Sequence, residues 1–232
     1  MSLASQKLEA LRGIQGIWRG NQSAVIPAIG SGHPALDLRL PGQGWPRGSL
    51  VELMPATPGI GEISLLIPAL RRIAADKRIA FIHPPFIPFA PALNNSGLPL
   101  QRTVWIDAQQ QNGQWAAEQS LRSGAVGAVL CWNASTDATD LRRLQLAAEA
   151  GGAIVFLFRS PSAMAQPSTA AVRMALVPQN GRLRVDLVKA RGGKPGTVVV
   201  DPYRNNAAAA TSQGTGSERA PRPAYPLLAQ PA

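Results

Sequence analysis

The sequence predicts an α/β fold with a mainly parallel sheet, helices on both faces and an antiparallel C-terminal hairpin. Three observations carry this expectation. Strand-like and helix-like segments alternate up to residue 159, the pattern of parallel crossover units. The segment "AVGAVLCW" (125–132) has no charge, and "GAIVFLFR" (152–159) is apolar up to its last residue, as strands covered on both faces require. Beyond 159 the pattern alternates more, in "AAVRMALV" (170–177) and "GRLRVDLVKAR" (181–191), with "PQNG" between them as a turn.

Each element follows from local chemistry. Residues 3–18 read as a short helix with Leu8, Leu11 and Trp18 on or near one face, weakened by Gly13 and Gly16. That face either packs on its own domain or docks in a partner's groove. A Gly/Pro/Ser-punctuated linker is expected over 21–34, and a globular domain over 35–204. "SLVELM" (49–54) reads as a buried strand, and 61–75 as a helix that Pro68 should kink or interrupt. Strands are expected at 78–83 and 102–107, with a proline-rich irregular loop at 84–91 between them. Helices are expected at 113–123 and at 137–150, where Asp137 and Asp140 suit the N-terminus. Residues 205–232 are a Pro/Ala/Ser/Gly tail with little to bury and are expected to be disordered. Its end, "AYPLLAQPA", reads as a frayed terminus or a short linear motif.

Bulk composition narrows the partners. Net charge is +10, from 23 Lys+Arg against 13 Asp+Glu, which favours nucleic acid or acidic protein surfaces. The single cysteine, Cys131, leaves no disulfide framework and fits a reducing cytoplasm. The N-terminal "MSLASQKLEALRG" carries Glu9 and no long apolar core, so it does not read as a signal peptide. No apolar run is long enough to span a bilayer.

The turn "PATPGIGEIS" (55–64) occupies the place of a phosphate loop, between a strand and a helix. A working loop needs Gly-rich backbone, a Lys for the terminal phosphates and a Ser/Thr for magnesium. Pro58, Gly59, Gly61 and Ser64 are present, but Glu62 stands near the expected Lys and would repel phosphate oxygens. The only Gly-Lys pair, Gly193–Lys194, runs into Pro195. The turn therefore reads as a degenerate phosphate loop capping a core helix, with no catalytic, cofactor or metal residues assigned. His33 and His83 are the only histidines, and neither has metal-ligand spacing. Cys131 reads as an inert core thiol, Asp107 as a solvated strand-end carboxylate, Trp45 as a turn residue at the sheet edge, and Trp115 and Trp132 as core.

These segments resemble a known superfamily. "ALDLRLPGQGWPRGSLVEL" (35–53) resembles the entry to the ATPase core of RecA-type recombinases. "IAFIH" (79–83) and "LRSGAVGAVLCW" (121–132) resemble the strands that carry its catalytic glutamate and its magnesium-directing aspartate, and the two late strands follow in order. The resemblance spans about 35–191 and implies a RecA-like, P-loop-type core. Three departures coincide: no phosphate-loop Lys, His83-Pro84-Pro85 at the acidic strand end, and Trp132 at the magnesium-directing position. Together they imply a fold that no longer hydrolyses ATP.

Two non-catalytic groups of that superfamily fit. ImuA proteins are SOS-associated and are encoded beside the polymerase-like protein ImuB; SulA proteins are SOS-induced inhibitors of the division protein FtsZ. "LEALRGIQGIWRG" with "HPALDLRLPGQGWPRG", and the continuation past 159, resemble ImuA. That resemblance implies an adaptor for translesion synthesis, with ImuB and RecA as partners and DNA contacted indirectly. A SulA-like inhibitor of FtsZ is the alternative, and an ATPase with a rebuilt site a third. Candidate contacts to phosphates or an acidic partner are Arg71, Arg72 and Arg78, and Arg182, Arg184, Lys189 and Arg191; ordinary solvated faces would carry the same residues. Loop 160–170 occupies the place of a recombinase DNA-binding loop, but it has no cation or aromatic between its ends.

Overall fold

The computed structural model describes residues 26–108, 112–132 and 137–204. The expected helix with Leu8, Leu11 and Trp18, and the tail from 205, lie outside the described residues. The chain runs through β1 (Ala28–Ile29), α1 (Pro34–Asp37), β2 (Trp45–Pro46), β3 (Ser49–Pro55), α2 (Glu62–Ala74), β4 (Arg78–Ile82) and α3 (Ala90–Asn95). It continues through β5 (Thr103–Ile106), α4 (Gly113–Arg122), β6 (Val126–Trp132), α5 (Ala138–Gly151), β7 (Ile154–Phe158), β8 (Val172–Gln179), β9 (Arg182–Ala190) and β10 (Gly196–Val200).

The main sheet has eight strands in the order β10-β9-β8-β3-β7-β6-β4-β5. The strands from β8 to β5 are parallel, and β9 and β10 pair antiparallel. The fold is thus mixed α/β with a mainly parallel central sheet and antiparallel C-terminal strands. Side chains of β3 alternate between its two faces: Val51 and Leu53 join one core and Leu50 the other. The first core packs Leu65, Leu66, Leu70 and Ile73 of α2 over Ile79, Phe81, Leu130 and Phe156. The second packs Leu121 of α4 and Leu141 and Leu144 of α5 over Ile82, Val129, Val155 and Leu157. Each fully buried Leu or Ile contributes about 1.5–3 kcal/mol.

Most elements form where the residues predict them. Asp137 caps α5 through its side chain, which accepts the Asp140 N–H at 2.8 Å. The β8–β9 hairpin turns on Asn180 and Gly181, with φ of 49° and 72°, the positive pair that a two-residue turn needs.

Four features differ. Residues 62–74 form one α-helix that runs through the buried Pro68. The core on this face holds the helix although Pro68 cannot donate to the Ser64 carbonyl. The expected 21–34 linker is part of the fold from residue 28, where Ala28 and Ile29 pair with Pro46 and Trp45. Gly44 makes that approach feasible, since a Cβ there would lie 2.5 Å from the Ile29 carbonyl oxygen. Trp45 is no edge residue: it is fully buried and meets Phe156 edge-on at 5.3 Å between ring centres. The tenth strand, "GTVVV" (196–200), has no counterpart among the expected elements; it is fixed by long-range pairing with β9.

Candidate functional site

At the β3–α2 turn, Gly59 and Gly61 take φ of 82° and 101°, a left-handed geometry that glycine adopts without strain. Glu62 opens α2, yet its side chain is buried and folds back, so that Oε1 accepts the Gly59 N–H at 2.8 Å. The turn therefore contains its own anion, held by a backbone donor of the kind that would cradle a phosphate. Glu62 Oε2 is buried with no hydrogen-bond partner among the described residues. The C-terminal segment covers it from outside: a Cβ on Gly61 would lie 3.0 Å from Pro202 Cγ and 3.1 Å from Tyr203 Oη. Pro58 is exposed on the turn and Ser64 is half-buried in the first turn of α2.

His83 and Trp132, singled out in the sequence, lie at strand ends. His83 follows β4 with φ of 49°, and its N–H donates to the Ile106 carbonyl at 3.0 Å. It turns the chain out into "PPFIPFAP", where Phe86, Ile87 and Phe89 are 71%, 73% and 70% exposed. Trp132 ends β6 half-buried and stacks on Phe158 at 4.3 Å and on Phe81 at 6.2 Å. This indole stack fills the end of β6 with aromatic rings. Asp107 is exposed, and burial pushes the Cys131 thiol up to about 12. Trp115 is not core: it lies on the outer face of α4, 64% exposed.

A buried ion triad sits beside the turn. Glu52 of β3 is fully buried; its Oε1 accepts from Arg159 Nη1 at 2.8 Å and its Oε2 from Arg173 Nε. Arg173 also donates to the carbonyls of Ala163, Met164 and Gln166, and Arg159 to Gln166 Oε1. Loop 160–170 is thus tied to the sheet through its own carbonyls. Sequence reading missed the triad, although its signal was present. Glu52 is the lone charge in "SLVELM" and Arg173 the lone charge in "AAVRMALV", and charges in buried strands must find each other.

The cations proposed as phosphate contacts do not form one patch. Lys189 and Arg191 donate to Ser168 O at 2.8 Å and Thr169 O at 3.2 Å, completing the fastening of loop 160–170. Partial burial, with Arg191 and Arg173 nearby, lowers the Lys189 pKa. Arg184 pairs with Asp186 at 3.1 Å on its own strand. Arg72 donates to Gly30 O at 2.6 Å, Arg71 is half-buried, and Arg78 is exposed at the start of β4. Arg182 is exposed at the start of β9, near Arg204. Among the described residues no group of three His, Cys, Asp or Glu could hold a metal ion, and no helix is long and apolar enough to cross a membrane.

Comparison with known proteins points to one family. Residues 50–155 match the family model described as Cell division inhibitor SulA. This stretch runs from β3, through the filled turn and the exposed loop, into β7. The chain is 30% identical over 115 residues to a protein named Cell division inhibitor SulA from Photorhabdus laumondii, a match over 49% of this chain and 65% of that relative. A crystal structure of SulA from Pseudomonas aeruginosa aligns with 48% of this chain and 97% of its own length, at 22% identity and a TM-score of 0.41. The protein is SulA-like across this central part, and β8 to β10 lie beyond the matched stretch.

Proposed function

We propose that the protein is a non-catalytic, SulA-like regulator of the SOS response that works by docking on a partner protein. The observation that carries this reading is the loop after β4, where Phe86, Ile87 and Phe89 stand about 70% exposed within four residues. Clustered large apolar side chains in water mark an interaction site. The filled β3–α2 turn supports the same reading, because a core with its own carboxylate in the phosphate position has no ATP cycle to run. We read that core as RecA-like.

The similarity to proteins named as cell division inhibitors favours FtsZ as the partner. A second reading, an ImuA-type adaptor for ImuB and RecA in translesion synthesis, has its own support. The chain continues past the matched stretch into three further strands of the same sheet, and the block at 35–53 lies almost wholly before it.

The test measures FtsZ assembly by light scattering with added protein, alongside capture of ImuB-type protein and of RecA. Suppressed assembly supports the inhibitor reading. Capture of ImuB with normal FtsZ assembly supports the adaptor reading. The triple variant Phe86→Ser, Ile87→Ser, Phe89→Ser should abolish whichever interaction occurs while the thermal midpoint holds. An interaction unchanged by that variant would reject the docking loop.

A further inference from the structure

A cleft of about 710 Å3 opens between the start of α1 and the ends of β9 and β10. Its lining includes His33, Ala35, Val199, Arg182, Asp201 and Arg204. It is separate from the filled turn. The segment that covers Gly61 with Pro202 and Tyr203 presents Asp201 and Arg204 to the cleft instead.

We propose that this cleft binds a phosphate-bearing small molecule, held by Arg182 and Arg204. Three observations point there. The volume lies within the roughly 300–1,000 Å3 range of small-ligand sites, and the walls combine apolar and charged groups as such sites do. Both arginines are exposed and neither side chain makes a hydrogen bond or ion pair with another described residue, whereas the side chains of Arg39, Arg72, Arg122, Arg143, Arg159, Arg173, Arg184 and Arg191 all do. The one carboxylate in the cleft, Asp201, already accepts the Tyr203 N–H through Oδ1 at 2.9 Å. Two unpaired guanidiniums thus face one partly engaged carboxylate, and the cleft carries net positive charge. Phosphate suits this arrangement better than a carboxylate does. A carboxylate is saturated by a single bidentate fork, whereas a phosphate offers enough oxygens for two. An adjoining cavity of about 370 Å3 shares Arg182 and Val199 and leaves room for the rest of a nucleotide-sized ligand.

His33 supplies an internal reporter. It is 95% buried in the cleft wall, its exposure being 5%, and its Nε2 has no hydrogen-bond partner among the described residues. The other histidine, His83, follows β4, which is separated from β3 by β7 and β6.

The experiment titrates the full chain with inorganic phosphate, pyrophosphate and ADP by calorimetry, with citrate as a carboxylate control. Histidine ring resonances are followed in parallel by NMR. The phosphate probes should bind and shift the His33 signals while His83 stays still. Arg182→Ala and Arg204→Ala should each weaken binding by about tenfold or more, and Arg142→Ala, an exposed cation on α5, should not. Tighter binding of ADP than of phosphate supports a nucleotide-sized ligand; equal binding supports a site for the phosphate group alone. The docking variant at Phe86, Ile87 and Phe89 should bind these probes normally, so failure of either proposal leaves the other standing. Citrate binding as tight as pyrophosphate, an equal loss in Arg142→Ala, or no binding of any phosphate probe would overturn the proposal.

Discussion

Replacing Glu52 with Met would remove the only anion between two buried guanidiniums. The side chains of Arg159 and Arg173 are 2% and 9% exposed, so neither charge can recover its hydration without opening the structure. Breaking a buried ion pair by deleting one partner costs about 3–5 kcal/mol. Arg173 keeps its three loop carbonyls and Arg159 keeps Gln166, which softens the loss. Two like charges left facing each other act in the opposite direction. A net loss of about 3–5 kcal/mol is therefore expected, or roughly 6–20 °C in thermal midpoint for a domain of this size. Urea denaturation followed by tryptophan fluorescence, with calorimetry in parallel, measures it. The triple variant Glu52→Met, Arg159→Leu, Arg173→Met should regain most of that stability, because apolar replacement of a whole buried ion cluster is often neutral or better. It should nevertheless lose the fastening of loop 160–170, read as faster cleavage there by a nonspecific protease. A loss below about 1 kcal/mol in Glu52→Met would refute the account of the triad. A triple variant whose loop resists cleavage like the parent would refute the account of the fastening.

Three further outcomes follow from single residues. Burial lowers the His33 pKa from its ordinary 6.5, with Asp37, the Leu65 backbone and Asp201 opposing it; its contribution is fully present above the unfolded value and is lost as pH falls through the folded one. His33→Asn should therefore flatten that part of the stability–pH profile in urea titrations, and an unchanged slope would contradict the burial. Gly151→Ala would place a Cβ 2.0 Å from the Leu121 carbonyl oxygen, where α4 and α5 meet, and should cost about 1–3 kcal/mol in urea unfolding. With its thiol at about 12, Cys131 should carry roughly three orders of magnitude less thiolate at pH 8 than a free cysteine. Iodoacetamide should label it only after denaturation, and rapid labelling of the native chain would contradict the strand assignment.

Much of the architecture was legible because its signals are local. The uncharged run 125–132, the Asp137 cap and the Asn180–Gly181 turn each declare an element within a few residues. Trp45 and Trp115 reverse their expected places, because an indole does not record which face its neighbours cover. Trp45 follows Gly44 in a turn-like stretch, yet residues 28–29 pair with its strand and its ring packs on Phe156 in the core. Trp115 lies on a helix whose apolar stripe is formed by Ala117 and Leu121, and it points away from that stripe.

The sequence by itself determined that the β3–α2 turn carries Glu62 and no lysine, that His83 follows β4 and that Trp132 ends β6. Residue identity alone decides those chemistries. Only the tertiary structure decided that Glu62 takes the anion's place on the Gly59 N–H, since which way a side chain folds depends on what closes over it. Tertiary structure also decided which cations are free. Lys189 and Arg191 are spent on the carbonyls of loop 160–170, whereas Arg182 and Arg204 stay unpaired beside one cleft. Charge is written along the chain, but its availability is set by strands and loops far apart in sequence.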